Sequence, residues 1–341
     1  MRTTATNKYP VLGFSLLVII LQLVGCSLSD NTMPMPSVQH IVKARSFKSL
    51  WLKNNVYVVW NGFSPMLGAT LGKVCFLGGL NNDSENNLTC LDSKTGDLLW
   101  RATSGTHTAF YARSDGLYVA YSGMTGVRKY SLDGKIIWSK SLLANGSVYL
   151  QSFNDQIHVL VNPDTYYLLK AETGELIRKI EKQNIIYHDD NQYVVYLSDL
   201  RFYSTSDQKI IWSVNLDNVL ELAPLLTKDI VMLRTGRVIG SAYAIDRQTG
   251  KVLWITEPNI ISTIAYSVSN KKAYFFSRDG RLTEKNISSG QEVVIAQFEN
   301  QDFKLNGDAA VGGYEVSLDE ANRLLYLYLG DSRQLFTFQM N

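Results

Sequence analysis

A short phrase that returns about every forty residues is the feature of this sequence that most constrains its fold. In Leu91–Trp100 a turn-forming Thr-Gly pair is followed by an acidic residue, two leucines and a tryptophan. Copies lie at 91–100, 131–138, 170–177, 206–212, 245–254 and 286–294. Their turn positions are 96, 134, 174, 208, 250 and 290, so the steps are 38, 40, 34, 42 and 40 residues. This period indicates repeated units, each burying its apolar face against the next.

Each copy has the local pattern of a tight turn between two β-strands. Glycine supplies the positive φ that such a turn needs, and aliphatic residues resume at once. Further short apolar stretches precede each turn, for example Lys73–Gly78 and Ser147–Phe153. About four short strands per repeat is typical of a β-propeller blade.

The two ends of the chain are expected to share the last blade. Leu324–Leu329 and Gln334–Phe338 supply its middle strands. Val56–Trp60 ends in tryptophan, as a fourth strand does in the internal copies, so we expect it to pair with the C-terminal strand. Six internal units and one shared unit make seven, at about 42 residues each over 46–341. The predicted fold class is all-β, a seven-bladed β-propeller whose ring is closed by its N- and C-terminal strands.

The N-terminal residues have the pattern of an export signal. Arg2 and Lys8 precede an apolar run from Val11 to Val24. As a helix this run spans roughly 21 Å, which is short of the ~30 Å hydrocarbon core, so a secretory signal is favoured over a permanent membrane span.

The end of that run, Leu23–Cys26, resembles the lipobox of bacterial lipoproteins, which implies a lipid on Cys26. Residues 1–25 would then be a signal peptide, 26–45 a lipid-anchored tether and 46–341 the propeller. The protein would be exported and anchored in the cell envelope, at the periplasmic or outer face of a bacterial membrane. The alternative is an ordinary signal peptide with a chance cysteine near the cut.

The charge balance argues against nucleic acid as a partner. The chain has 33 Lys and Arg against 31 Asp and Glu, and Arg2 and Lys8 lie in the predicted signal. The remaining chain is therefore balanced, with no basic excess to attract phosphates.

The phrase Asp-x-x-Thr-Gly-x-Φ-Φ-Trp, where Φ is aliphatic, resembles the PQQ-like (pyrroloquinoline-quinone-type) β-propeller repeat, over nearly all of 46–341. With a lipobox in front, the architecture is similar to the BamB-type lipoprotein family of outer-membrane β-barrel assembly. That resemblance implies a non-catalytic, membrane-anchored propeller that scaffolds or binds other envelope proteins, including in outer-membrane protein assembly.

An enzyme is the main alternative that the repeat family raises. Quinoprotein dehydrogenases have a vicinal disulfide over the quinone and a calcium site, whereas Cys26, Cys75 and Cys90 are not adjacent. We therefore predict no catalytic residue, no cofactor and no metal. Two alternatives stay open, a quinoprotein-type enzyme that uses the central channel and an envelope binder of small solutes or glycans.

Repeated tryptophans and a cysteine pair are interpreted as structural. A tryptophan at one position of each blade is expected to pack against the neighbouring blade. These positions are Trp60, Trp100, Trp138, Trp212 and Trp254. Cys75 and Cys90 lie on consecutive strands, and an exported protein can keep a bridge there, although two free buried thiols are the alternative.

Partner binding is predicted on the longer loops of one face of the disc, which a rigid scaffold would hold in place. The loops are Gly79–Asn87, Arg234–Gly240 and Gln297–Ala309. Their charged residues are Asp83, Glu85, Arg234, Arg237, Glu299 and Asp302. Solvated insertions with no partner are the alternative. The propeller itself is expected to be monomeric.

Overall fold

The computed structural model describes residues 41–44, 47–59, 65–81, 87–103, 107–121, 126–142, 148–161, 165–181, 185–188, 191–196, 199–218, 220, 224–236, 239–298 and 313–340. All regular elements in these ranges are β-strands. None of the described residues forms a helix that is long and apolar enough to cross a membrane. The predicted signal peptide, Cys26 and most of the tether lie outside the described residues.

Seven antiparallel sheets follow one another along the chain as the blades of a propeller. Blade 1 contains β4 (Leu67–Thr70), β5 (Lys73–Leu80), β6 (Asn87–Asp92) and β7 (Leu98–Thr103). Blade 2 contains β8 (His107–Arg113), β9 (Gly116–Tyr121), β10 (Gly126–Tyr130) and β11 (Ile136–Ser141). Blade 3 contains β12 (Val148–Phe153), β13 (Gln156–Val161), β14 (Thr165–Lys170) and β15 (Leu176–Glu181).

The next three blades repeat this order. Blade 4 contains β16 (Ile185–His188), β17 (Gln192–Tyr196), β18 (Asp199–Ser204) and β19 (Ile210–Asn215). Blade 5 contains β20 (Leu225–Leu226), β21 (Ile230–Arg234), β22 (Ala242–Asp246) and β23 (Val252–Ile255). Blade 6 contains β24 (Ala265–Ser267), β25 (Lys272–Phe276), β26 (Arg281–Asn286) and β27 (Glu292–Phe298). In each blade the first strand lies innermost and the fourth lies at the outer edge.

Blade 7 is shared between the chain ends, as predicted. It contains β28 (Glu315–Asp319), β29 (Leu324–Leu329), β30 (Gln334–Gln339) and, as its outer strand, β2 (Lys48–Lys53). Two further strands join existing blades: β1 (Ile41–Ala44) pairs with β27, and β3 (Val56–Val58) pairs with β5. The prediction of a seven-bladed, all-β ring closed by its terminal strands is confirmed.

The closing strand, however, is not the one predicted. β2 pairs with β30, whereas Val56–Val58 pairs with the Gly78–Leu80 end of β5 in blade 1. The tryptophan that marks the closing strand is therefore Trp51, and the Trp60 expected in that role lies outside the described residues. The error arose because both segments carry an apolar pair or triplet next to tryptophan, and only the pairing partner distinguishes them.

Tryptophans of the outer strands pack on the turn of the next blade, a contact termed here Trp–Gly docking. The contacts join Trp51 to Gly96, Trp100 to Gly134, Trp138 to Gly174, Trp212 to Gly250 and Trp254 to Gly290. In the first four, the indole nitrogen also donates a hydrogen bond to a turn carbonyl, at 2.8–3.2 Å. Each of these tryptophans thus ties its blade to the following one.

The seam between blades 3 and 4 departs from this pattern on both sides. Arg178 stands where the tryptophan would be in β15, and Gln208 stands where the glycine would be in the next turn. Gln208 still has the positive φ of that turn, +56°.

The hairpin of β5 and β6 brings Cys75 directly opposite Cys90, and a disulfide joins them. The pairing runs without a bulge from Lys73 opposite Asp92 to Leu77 opposite Leu88, and this register aligns the two cysteines.

Candidate functional site

The two faces of the disc differ in their connections. The turns that join first to second strands and third to fourth strands share one face, where they hydrogen bond to each other, as from Ser93 N to Gly72 O at 3.0 Å. The opposite face, called here the loop face, carries the connections from second to third strands and from each blade to the next. The predicted partner loops belong to the loop face.

Most charged residues predicted to bind a partner lie outside the described residues. These are Asp83, Glu85, Arg237, Glu299 and Asp302. Their role in partner binding stays a prediction.

Arg234 is the described member of the predicted set, and it is not an exposed loop residue. It is the last residue of β21, its exposed fraction is 6%, and its Nη1 lies 3.5 Å from the carbonyl oxygen of Ser262 in the next blade. Burial in this position gives Arg234 a role at the seam of blades 5 and 6 rather than as a surface contact.

Arg234 also borders a cavity of about 80 Å³ in the central channel. First and second strands of several blades line it with mainly apolar side chains, including Tyr111, Leu150 and Met232. Gln151 and the Arg234 guanidinium add polar groups. This volume suits a single side chain or a few waters and is below the roughly 300–1,000 Å³ of pockets that hold drug-sized ligands.

Glu315 is a buried carboxylate beside the channel that sequence reasoning missed. It lies on β28, the innermost strand of blade 7, and accepts hydrogen bonds from the backbone N–H groups of Met66 and Leu67 at 2.7–2.9 Å. Burial raises its pKa to about 8, against the lowering effect of these two donors. Glu315 thereby joins blade 7 to the first strand of blade 1. A lone glutamate in a strand carries no sequence signal for this role.

Asp217 organises a second polar cluster on the loop face, in the connection from blade 4 to blade 5. Its carboxylate accepts hydrogen bonds from the Thr235 and Ser241 hydroxyls, both at 2.6 Å, and its backbone N–H donates to the Tyr243 hydroxyl at 3.1 Å. Burial alone would raise the pKa of Asp217, but the hydroxyl donors hold it below its usual value. The cluster fixes this connection and leaves both carboxylate oxygens engaged.

A polar cavity of about 400 Å³ lies on the opposite face, at blades 2 and 3. Arg113 bonds both Asp115 and Asp155, at 2.9 and 2.8 Å, and the buried Lys129 bonds Asp115 at 2.8 Å. Burial would raise the pKa of Asp115, and the hydrogen bonds from Lys129 and Tyr118 with the Arg113 charge lower it. Arg113, Asp115 and Lys129 belong to blade 2, and the Arg113–Asp155 pair connects this cluster to blade 3.

His158 and His188 belong to packed aromatic clusters. His158 stacks on Tyr187 with ring centroids 5.1 Å apart and bonds the Tyr166 hydroxyl, while His188 stacks on Tyr193. Within the described part of the chain no group of three or more His, Cys, Asp or Glu side chains is placed to hold a metal ion.

The repeat, the seven blades and the docked tryptophans together define a seven-bladed β-propeller whose repeats are similar to the PQQ-like type. Residues 182–310 match the family model described as outer membrane protein assembly factor BamB.

Two solved structures are similar to this chain. BamB from Moraxella catarrhalis is 13% identical, with a TM-score of 0.48 over 89% of this chain and 98% of that one. The WD40 domain of Neurospora crassa Pan2 is 8% identical, with a TM-score of 0.60 over 88% of this chain and 97% of that one. The likeness to Pan2 supports the propeller fold and nothing beyond it. No curated protein sequence matches the chain.

Proposed function

We propose that this protein is a non-catalytic, membrane-anchored scaffold outside the cytoplasm that binds other envelope proteins during outer-membrane protein assembly. The observation that carries the proposal is the match of residues 182–310 to the BamB family model. The N-terminal pattern supports the location, because a lipid on Cys26 would hold the ring at a membrane surface.

The physical basis of such a role is rigidity. Each blade buries its faces on two neighbours, for example where Phe298 of blade 6 meets Phe336 of blade 7 edge to face at 5.0 Å. A closed ring of this kind holds its loops in fixed relative positions, which lowers the entropic cost of forming an interface. On this proposal the loops around Asp83, Arg237 and Asp302 contact the partner.

The test is affinity purification of the full-length, membrane-extracted protein, followed by mass spectrometry of proteins and released small molecules. Stoichiometric recovery of envelope proteins supports the scaffold. A stoichiometric quinone or other small molecule would overturn it in favour of an enzyme or solute binder. Cys26→Ser is the anchor control, and the variant should move to the soluble fraction while its folded ring still binds the same partner.

A second variant tests the loops. Charge reversal at Asp83, Glu85 and Asp302 together should release the recovered partner without lowering thermal stability, because on this proposal these charges serve binding and not folding. Full retention of the partner by this variant would remove these loops from the interface.

A further inference from the structure

The fourth strand of a blade presents one side of its backbone ladder to the surroundings unless another strand pairs with it. Such edges attract other extended chains, so natural proteins protect them with charges, proline, short strands or a cover. The seven outer strands of this ring are β7, β11, β15, β19, β23, β27 and β2. They differ in how they are protected.

One of these edges is already occupied by an extended segment of the chain itself. β1 pairs with β27 in antiparallel register, with Ile41 opposite Phe298 and Ala44 opposite Ala296. Blade 6 thereby becomes a five-stranded sheet. A blade edge in this ring is therefore able to seat an added strand.

Most of the remaining edges carry protecting features. β15 has an ion pair between Lys179 and Glu181 at 2.6 Å, and β23 is only four residues long with Glu257-Pro258 close behind it. The edge charges of the other protected strands are Arg101 in β7, Lys140 in β11, and Lys48 and Lys53 in β2.

The edge of β19 in blade 4 lacks each of these protections. Its sequence, Ile210 to Asn215, has six residues, no charge and no proline, and among the described strands only β18 pairs with it. Ile210 and Ile211 are 51% and 42% exposed, and Ser213 is exposed as well. The edge thus combines apolar surface with a backbone that can form a sheet ladder.

We propose that β19 is a docking site for an extended, uncharged segment of a partner protein, with apolar side chains at alternate positions. The segment adds to blade 4 as a fifth strand, as β1 adds to blade 6. Backbone hydrogen bonds supply the pairing, and alternate side chains of the segment cover Ile210 and Ile211. The proposal rests on the proposed function for the identity of the partner as an envelope protein.

A matched pair of variants isolates the edge. Ser213→Glu places a charge on β19, and Ser139→Glu places the same charge at the equivalent position of β11, directly after the docked tryptophan. Both serines are exposed, and each lies opposite an arginine of the neighbouring strand, Arg201 or Arg128. The two substitutions therefore have similar effects on folding, and only the first adds a charge to an uncharged edge.

The probe is a short synthetic peptide of alternating valine and threonine, with a second peptide in which lysine replaces valine. Binding to the full-length protein is followed by fluorescence anisotropy, and backbone amide exchange by mass spectrometry locates the site. The valine peptide should slow exchange in 210–215 and leave 136–141 unchanged. Ser213→Glu should weaken binding by about tenfold or more, which is 1.4 kcal/mol, whereas Ser139→Glu should stay within about twofold.

Unchanged binding by Ser213→Glu, or equal protection of both edges, would overturn the proposal. Slow exchange without peptide of those amides in 210–215 that do not bond to β18 would also overturn it, and dilution then distinguishes two occupants. If exchange becomes faster on dilution, the segment that covers β19 belongs to a second copy of the chain. If exchange does not change on dilution, the covering segment belongs to the same chain. Because the peptide assay uses no cellular partner, its result is separate from the affinity purification that tests the proposed function.

Discussion

Blade 3 packs differently against its two neighbours. Its contact with blade 2 includes Trp–Gly docking, and its contact with blade 4 does not. At the first, Trp138 packs on Gly174 and donates a hydrogen bond to the Ala171 carbonyl at 3.2 Å. At the second, Arg178 and Gln208 occupy the two positions.

The difference explains why glycine recurs in the turn. Gln208 has φ +56° and Gly174 has φ +70°, so the turn tolerates a side chain in the left-handed region. A Cβ on Gly174, however, would lie 2.7 Å from the Trp138 ring. The repeated glycine is therefore required mainly by the tryptophan above it, and the two residues are lost together where docking is absent.

A polar and aromatic cluster also joins the two blades at the undocked seam. His158 of blade 3 stacks on Tyr187 of blade 4 with ring centroids 5.1 Å apart. The Tyr166 hydroxyl donates to the His188 carbonyl at 3.2 Å across the seam. Ring stacking and this hydrogen bond hold blades 3 and 4 together without a docked indole.

The largest expected difference between docked and undocked seams is in the stability that is lost when the residue at the tryptophan position is replaced by alanine. Trp212→Ala should lower the free energy of unfolding by about 3–5 kcal/mol, because it removes a buried indole and its 2.8 Å hydrogen bond to the Arg247 carbonyl. Arg178→Ala, at the equivalent undocked position, should cost about 1 kcal/mol. Urea unfolding measures both, and equal losses would refute the distinction.

A smaller effect is expected when a methyl group is added to the turn. Gly174→Ala should destabilise by about 2–4 kcal/mol, since the left-handed conformation and the contact with Trp138 both penalise a Cβ. Gln208→Ala should change stability by about 0.5 kcal/mol or less. If Trp138→Ala did not relieve the cost of Gly174→Ala in a double-mutant cycle, ring contact would not be the cause.

The seam between blades 7 and 1 should be sensitive to pH, unlike the docked seams elsewhere, because Glu315 binds its proton more tightly in the folded state. Its contribution is full below about pH 4.5 and is lost as the pH rises through about 8. The slope between those values is at most ~1.4 kcal/mol per pH unit for one proton.

Glu315→Gln should flatten the dependence of stability on pH between 6 and 8, measured by urea unfolding at each pH. Glu320→Gln is the control, because the serine donors around Glu320 lower its pKa, against the effect of burial, and place its titration below this window. A steep slope that persisted in Glu315→Gln would assign the dependence to another group.

The smallest effect is expected when Trp–Gly docking is introduced at the seam of blades 3 and 4, where it is absent. Arg178→Trp combined with Gln208→Gly rebuilds both halves at the seam of blades 3 and 4. The pair should be more stable than the sum of the single changes by about 1 kcal/mol, because the indole fits only when the side chain beneath it is absent. Simple additivity of the two changes in stability would show that these two substitutions alone do not create Trp–Gly docking at this seam.

The repeat period made the blade count predictable, because turn glycines and tryptophans recur at fixed positions in the sequence. The choice of closing strand was not predictable from pattern alone, since Trp51 and Trp60 both follow apolar residues and pairing between chain ends is a long-range contact. The buried Glu315 and the Asp217 cluster were missed for a related reason. Their roles depend on backbone N–H groups and hydroxyls supplied by distant blades.

The predicted partner loops show a different limit. A loop boundary read from apolar patterning placed Arg234 in a connection, whereas β21 continues through it and packs it against Ser262. A charged residue at the end of a strand looks the same in sequence whether it faces solvent or a neighbouring blade.

The strand that the chain adds to blade 6 also has a mechanical consequence. Force applied to the N-terminal segment meets β1 before it reaches β2, the strand on which ring closure depends. On the proposed anchoring through Cys26, tension on the chain would therefore load the short β1–β27 ladder first, and the longer β2–β30 ladder would bear that load only after β1 had separated.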